Sequence, residues 1–280
     1  MIGDFVWTSI DYLGESGIGK VTFGEGGPSF GAQYPYHLAN CGDIDICGLK
    51  RPQSYFRDIL WGVRSAPYIA VLDPRHFGQK ASFNQWGWDP VEESWSFPGR
   101  EGQTTRVDVY SAADEVELLV NGVSAGRKPA GDAAKNKASF EVVYQPGVIE
   151  AVSFSGGKER GRTRLQTAGQ PAGLALSADR EALRAEFGDL AYVTVEIRDA
   201  QGKRVPWADA EVTLEVSGVG DLLAIGTANP TSEELYVGSQ RKAWQGRLTA
   251  VVRATGQPGP VTVKAQAEGL PSAEITLQVG

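Results

Sequence analysis

Three side chains suited to binding a carbohydrate lie in or directly after the first apolar stretch of the chain. Residues 5–10, FVWTSI, predict a buried strand, and polar side chains follow it at once. Trp7 lies where this strand is expected to surface, so its indole could stack on the apolar face of a sugar ring; the alternative is a core position. Asp11 either accepts sugar hydroxyls or holds the loop. We therefore predict Trp7 and Asp11 as substrate-binding residues and Glu15 as a sugar-proximal candidate.

Three further tryptophans, Trp86, Trp88 and Trp95, stand close together in the stretch NQWGWDPVEESWSFPG. Flat rings clustered on a surface would form a platform for sugars. Tryptophans also anchor the cores of sandwiches and the seams between domains, because the ring is large and mostly apolar. We expect packing against the preceding segment, and we keep Trp86 and Trp88 as sugar-proximal candidates.

The carboxylates of the first segment do not predict a catalytic pair. Such a pair needs rigid positioning and two environments that push its pKa values apart. We expect rim or loop positions for these residues: Asp11, Glu15, Glu25, Asp43 and Asp45. Two histidines and two cysteines supply too few ligands for a zinc site. No metal and no cofactor are predicted, and Cys41 and Cys47 are expected to be free thiols.

The amino-acid composition argues against two classes of binding partner, nucleic acids and membranes. The 280 residues carry a formal net charge of -7, whereas nucleic-acid-binding proteins present a basic stripe. No apolar run approaches the roughly 18 residues that a membrane-spanning helix needs. Neither nucleic acid nor a membrane is therefore a predicted partner.

Residues 1–63 predict one β/α unit: a strand, a long glycine-rich loop and a helix. The helix is expected in RPQSYFRDILWGV, where Tyr55, Phe56 and Ile59 recur at helical spacing and Pro52 suits the first turn. A single unit cannot cover both faces of a parallel strand. Its partner is therefore predicted to be the remainder of a larger sheet or a second copy, bound through residues 1–63.

From residue 64 onward the apolar pattern changes to the period of two that is typical of antiparallel strands. TRVDVYS, EVELLVNG, ASFEVVY and VIEAVSF follow one another, joined by turn sequences such as Asn121-Gly122. After TAGQPAG, which suits a linker, comes a second set: GLALSA, AYVTVEIRD, AEVTLEVSG, GRLTAVVRA, GPVTVKAQA and AEITLQVG. The sequence thus predicts a mainly β fold, with one sandwich at residues 64–168 and another at 169–280.

Nearly the whole chain resembles one known family. FVWTSIDYLGE looks like the last barrel strand and following loop of glycoside hydrolase family 2 β-galactosidases, and IDICGLKRPQSYFRDILW resembles the region of their final barrel helix. The immunoglobulin-like domain after that barrel is similar to NQWGWDPVEESWSFPGREGQTTRVDVYSAADEVELLVNGVSAGR. Their C-terminal immunoglobulin-like domain is similar to DREALRAEFGDLAYVTVEIRDAQGKRVPWADAEVTLEVSGVG and RKAWQGRLTAVVRATGQPGPVTVKA.

This resemblance implies the last β/α unit of an incomplete TIM barrel, followed by two tandem immunoglobulin-like β-sandwiches. It also implies that Trp7 forms a wall of the sugar subsite. The family's general acid and nucleophile are two glutamates on earlier barrel strands, so this chain alone is expected to be inactive. The implied ligand is a β-galactoside bound by the complete enzyme, although β-glucuronide and β-mannoside activities occur on the same architecture.

A second hypothesis is a non-catalytic immunoglobulin-like module for carbohydrate binding or adhesion. Residues from 64 onward fit either hypothesis. Only residues 1–63 discriminate, because an adhesion module has no use for an isolated barrel strand and helix.

Overall fold

The computed structural model describes residues 6–25, Gly27 and residues 30–280. The chain is mainly β and divides into two compact units, Met1–Thr167 and Ala168–Gly280. Residues 1–5, which include Phe5 of the predicted first strand, lie outside the described residues. In the described part, no helix has both the length and the apolar character needed to cross a bilayer. The three-part division into residues 1–63, 64–168 and 169–280 stays a prediction.

The first segment contains three short strands and the predicted helix. The strands are β1 (Tyr12–Leu13), β2 (Thr22–Phe23) and β3 (Leu38–Ala39), and α1 spans Pro52–Leu60. β1 pairs antiparallel with β3. Pro52 lies in the first turn of α1, where its missing N–H costs nothing. The helix prediction is confirmed for Pro52–Leu60, whereas Val63, which was also expected at helical spacing, lies beyond the helix and is exposed.

The strand predicted at residues 5–10 differs from the expectation of a buried strand. Val6 and Ile10 are each 48% exposed and Trp7 is 60% exposed. The backbone pairs with residues 41–44: the Ile44 amide donates to the Ser9 carbonyl at 2.9 Å, and the Asp11 amide donates to the Ile44 carbonyl at 3.0 Å. A parallel strand needs cover on both faces to be buried, and the described residues leave these side chains uncovered.

The rest of the first unit is a sandwich of two four-stranded sheets. This part of the chain contains β4 (Tyr68–Leu72), β5 (Ala81–Ser82), β6 (Val91–Glu92), β7 (Thr104–Tyr110), β8 (Glu115–Val120), β9 (Val123–Pro129), β10 (Lys137–Val143), β11 (Val148–Ser155) and β12 (Lys158–Gln166), of which all but β5 form the sandwich. The sheet orders are β10-β7-β4-β6 and β12-β11-β8-β9, and β5 pairs with β2. The four strands predicted here are confirmed as β7, β8, β10 and β11.

Alternation along β4 and β7 gives the first sheet two buried faces. Ile69 and Val107 point into the core between the two sheets, while Tyr68 and Tyr110 lie on the opposite face in a cluster with Ile59 of α1. Tyr68 stacks between Tyr55 of α1 and Tyr110, at centroid distances of 4.4 and 5.8 Å. The helix is therefore fixed to the sandwich by aromatic packing.

The second unit is a separate sandwich. Its strands are β13 (Pro171–Ala178), β14 (Ala182–Leu183), β15 (Leu190–Asp199), β16 (Glu211–Gly218), β17 (Gly220–Gly226), β18 (Gln240–Lys242), β19 (Arg247–Ala254), β20 (Gly259–Ala267) and β21 (Leu270–Val279). A four-stranded sheet, β13-β15-β19-β17, faces a five-stranded sheet, β14-β21-β20-β16-β18. The six strands predicted for this sandwich are confirmed, and their alternating Val, Leu, Ala and Ile side chains form its core.

Candidate functional site

The candidate site is the rim built by residues 6–20 and 37–51. Trp7 stands on it with most of its ring exposed. The Tyr12 ring meets the indole edge-on at a centroid distance of 6.3 Å and an interplanar angle of 90°. The Trp7–Thr8 peptide bond is cis. The rim therefore presents an aromatic surface that is supported by a second ring and open to a ligand.

Glu15 joins this aromatic pair through Tyr12. The Tyr12 hydroxyl donates a hydrogen bond to the Glu15 carboxylate, and this bond raises the pKa of Tyr12. Glu15 is exposed and has a φ of 42°, in the left-handed region. Trp7, Tyr12 and Glu15 thus form a continuous surface with a flat apolar ring, a hydroxyl and a carboxylate, which are the groups that a sugar ring and its hydroxyls require.

Asp11 lies beneath this surface rather than on it. Its side chain is fully buried and forms an ion pair with Arg51, whose Nη1 donates to Oδ1 at 3.1 Å and whose Nη2 donates to Oδ2. The Gly42 amide also donates to Oδ1, at 2.7 Å. Burial raises the pKa of Asp11 to about 6, while the Arg51 charge and the Gly42 amide act to lower it. At neutral pH the carboxylate is ionised, and its contacts favour loop holding over contact with sugar hydroxyls.

Arg51 connects the two segments of the rim to the start of α1. Besides Asp11, its guanidinium donates to the Asn40 carbonyl at 3.2 Å and to the Asn40 side-chain oxygen at 3.1 Å. Arg51 directly precedes α1, and Gln53 in the first turn donates to the Gly42 carbonyl at 2.8 Å. The planar guanidinium suits this task because it offers five donors in a fixed geometry.

Gly42 is required by the close approach of the two backbone segments. A Cβ at this position would lie 2.3 Å from the Asp11 nitrogen and 2.5 Å from the Ile44 carbonyl oxygen. Both neighbours are backbone atoms that also form the pairing between residues 8–11 and 41–44. A larger residue would therefore separate the strand end that carries Trp7 from the loop that supports it.

The remaining candidate carboxylates of the segment hold local structure or face solvent. Asp43 pairs with Arg57 of α1, and buried Asp45 accepts the amides of Cys47 and Leu49 at 2.9 and 3.0 Å. Glu25 is exposed. Cys41 and Cys47 are thiols that form no disulfide with each other. Within the described residues, no group of three or more His, Cys, Asp or Glu side chains is arranged to hold a metal ion.

The three clustered tryptophans do not share one surface. Trp95 is in the core of the first sandwich, where its Nε1 donates to the Gln145 carbonyl at 3.0 Å. Trp88 packs on Phe56 of α1 at 5.5 Å between centroids. The Trp86 ring meets Phe30 edge-on at 5.8 Å. These contacts favour packing over a carbohydrate platform.

Two family models match the chain. "Glycoside hydrolase family 2 C-terminal domain 5" covers residues 174–276, and a domain of unknown function, DUF4982, covers residues 102–161. These matches identify the chain as the C-terminal portion of a glycoside hydrolase family 2 protein. The match to a solved family 2 member from Bacteroides cellulosilyticus agrees, with a TM-score of 0.88 and 36% identity over 100% of this chain and 36% of that one.

Curated relatives of this family 2 chain carry two activities in their names. A β-galactosidase of Bacteroides ovatus is 30% identical over 98% of the chain, and a putative β-glucuronidase of Formosa agariphila is 29% identical over 93%. The chain spans 28% and 22% of those two proteins. It therefore corresponds to a minor part of each relative's length.

Sequence reasoning missed Arg51 and Tyr12 as members of the site. Arg51 lies 40 residues from Asp11, and a lone arginine before a helix gives no local sign of such a partner. Tyr12 could have been found, because it directly follows Asp11 and a tyrosine beside a predicted sugar-stacking tryptophan can donate a hydrogen bond.

We predict that Asp11→Asn loosens the rim without unfolding the sandwiches. The amide that replaces the carboxylate places an N–H group against the Arg51 donors and leaves a buried charge uncompensated. Hydrogen exchange of the Gly42 amide should accelerate about 10- to 100-fold, which corresponds to about 1.4–2.8 kcal/mol of lost local stability.

Asp58→Asn is the matched control, because Asp58 pairs with Lys50 nearer the surface, where such pairs contribute about 0–1 kcal/mol. Equal exchange rates for the Gly42 amide in Asp11→Asn and in the unmodified chain would contradict the assigned role of Asp11.

Proposed function

We propose that this chain supplies one wall of the sugar subsite in a longer glycoside hydrolase that acts on β-galactosides. Trp7 forms the wall, and residues 1–63 complete a barrel that the rest of the enzyme provides. The observation that carries the proposal is the exposed face of Trp7 above a loop held by the buried Arg51–Asp11 pair. The name of the Bacteroides ovatus relative, a β-galactosidase, supports the β-galactoside.

The exposure of Trp7 has a free-energy cost that binding would recover. Burying a large apolar side chain is worth about 1.5–3 kcal/mol relative to leaving it in water. The indole nevertheless stays on the surface, while Asp11, four residues along the chain, is fully buried. A rigid support with an exposed aromatic face is the arrangement that pre-organises a stacking site, because little side-chain freedom is left to lose on binding.

Exposed residues other than Trp7 provide the evidence that another part of the barrel packs against this segment. Val6 and Ile10 face water with about half of their surface, and Ile10 forms a parallel bridge to Ile44. Parallel strands are normally covered on both faces. We therefore propose that additional strands, from the rest of the enzyme or from a second copy, cover this edge. The two sandwiches are proposed as accessory domains without catalytic groups.

Trp7→Ala should weaken binding of methyl β-D-galactoside to the chain about five- to tenfold, because the ring supplies the stacking surface. The dissociation constant can be measured by ligand-observed NMR titration. Trp61→Ala is the matched control, since Trp61 is 70% exposed and follows α1 at a distance from the rim in sequence. Equal weakening in both variants would contradict the assignment of Trp7. A loss of binding in Trp86→Ala or Trp88→Ala alone would instead support the carbohydrate-binding module.

The isolated chain should not hydrolyse p-nitrophenyl β-D-galactoside above the uncatalysed rate. Retaining hydrolysis needs two carboxyl groups about 5–5.5 Å apart across the scissile bond. Beside Trp7 the structure provides Glu15, whereas the oxygens of Asp11 are occupied by Arg51 and Gly42. Release of p-nitrophenolate that disappears in Glu15→Gln would overturn this part of the proposal.

A further inference from the structure

Glu15 is a solvent-exposed carboxylate on the rim, and its negative charge bears on which sugars can bind at Trp7. The relatives' names include both β-galactosidases and β-glucuronidases. A galactoside is neutral, whereas a glucuronide carries a carboxylate at neutral pH. The charge that surrounds Trp7 therefore separates the two classes of ligand.

The contacts connect the Glu15 carboxylate to the stacking ring through Tyr12. Tyr12 meets the indole of Trp7 edge-on and donates its hydroxyl hydrogen to Glu15. This bond engages one carboxylate oxygen, Oε2, and leaves the other with capacity to accept a sugar hydroxyl. The backbone turn at Glu15 is closed by a hydrogen bond from the Ile18 amide to the Glu15 carbonyl, at 3.2 Å. The carboxylate is therefore held against Tyr12, which in turn contacts Trp7.

The cations of the same segment are engaged elsewhere. Residues 6–60 contain six acidic side chains and four basic ones. Arg51 binds buried Asp11, Arg57 binds Asp43 and Lys50 binds Asp58. The fourth cation, Lys20, lies 5.3 Å from the centre of the Tyr36 ring. In the described part of this segment, three of the four cations are thus paired with carboxylates, and the acidic side chains outnumber the basic ones.

We infer that Glu15 is a specificity-determining residue that makes the Trp7 subsite select neutral sugars over uronic acids. The Glu15 carboxylate accepts a hydrogen bond from a hydroxyl of the neutral sugar and repels the carboxylate of a uronic acid. This inference rests on the proposed sugar subsite at Trp7. Repulsion between like charges at a water-exposed surface gives a discrimination of about three- to tenfold.

The test compares methyl β-D-galactoside with methyl β-D-glucuronide on the full 280-residue chain. Dissociation constants are measured by ligand-observed NMR titration at low salt. The unmodified chain should bind the galactoside about three- to tenfold more tightly. Glu15→Gln should bring the ratio close to one, mainly by improving binding of the glucuronide, because the amide keeps an acceptor oxygen but loses the charge.

Glu25→Gln is the matched control, since Glu25 is another exposed acid of the segment and the substitution changes the net charge equally. It should leave the ratio unchanged. High salt should reduce the ratio for the unmodified chain, because ionic screening weakens repulsion between exposed charges. A purely structural effect of Glu15 would not depend on salt in this way.

The outcomes separate this inference from the proposed function. Equal binding of both sugars by the unmodified chain, or a ratio unchanged in Glu15→Gln, overturns the role of Glu15 and leaves the Trp7 subsite standing. Binding of neither sugar contradicts the subsite itself and this inference with it.

Discussion

The ion pair between Arg51 and Asp11 is the interaction on which the exposed rim depends. The Asp11 side chain is fully buried and that of Arg51 is 18% exposed, so both charges have lost most of their contact with water. Such a pair adds little net stability compared with apolar packing, but loss of one charge leaves the other buried and uncompensated. The pair therefore acts mainly on conformation: it fixes the position of the segment that carries Asp11 relative to the start of α1.

Other contacts of the first unit connect the Arg51–Asp11 pair to the first sandwich. Gly42 permits the backbone contact that Arg51 and Asp11 fix in place. Arg51 leads directly into α1, and Tyr55 of that helix stacks on Tyr68 in the sandwich. The segment that carries Trp7 is thus attached, through these contacts, to a packed β-sandwich.

The fold was predictable from the sequence wherever one local pattern decides the structure. Alternation of apolar residues identified the strands of both sandwiches, and Pro52 with the spacing of Tyr55, Phe56 and Ile59 identified α1. The exposure of residues 6–10 was not predictable, because burial of a strand depends on packing partners elsewhere in the structure. The candidate site was predictable only in part. Trp7 and Glu15 follow from residue type and position, whereas the burial of Asp11 depends on a partner 40 residues away.

A protein-observed NMR titration with methyl β-D-galactoside can follow the indole N–H signals of all seven tryptophans and so locate the sugar. If Trp7 is the wall of the sugar subsite, its signal shifts with the sugar concentration while those of Trp88 and Trp95 stay in place. A shift confined to Trp86 or Trp88, with Trp7 unchanged, would refute the role of Trp7 and place the binding surface on the first sandwich.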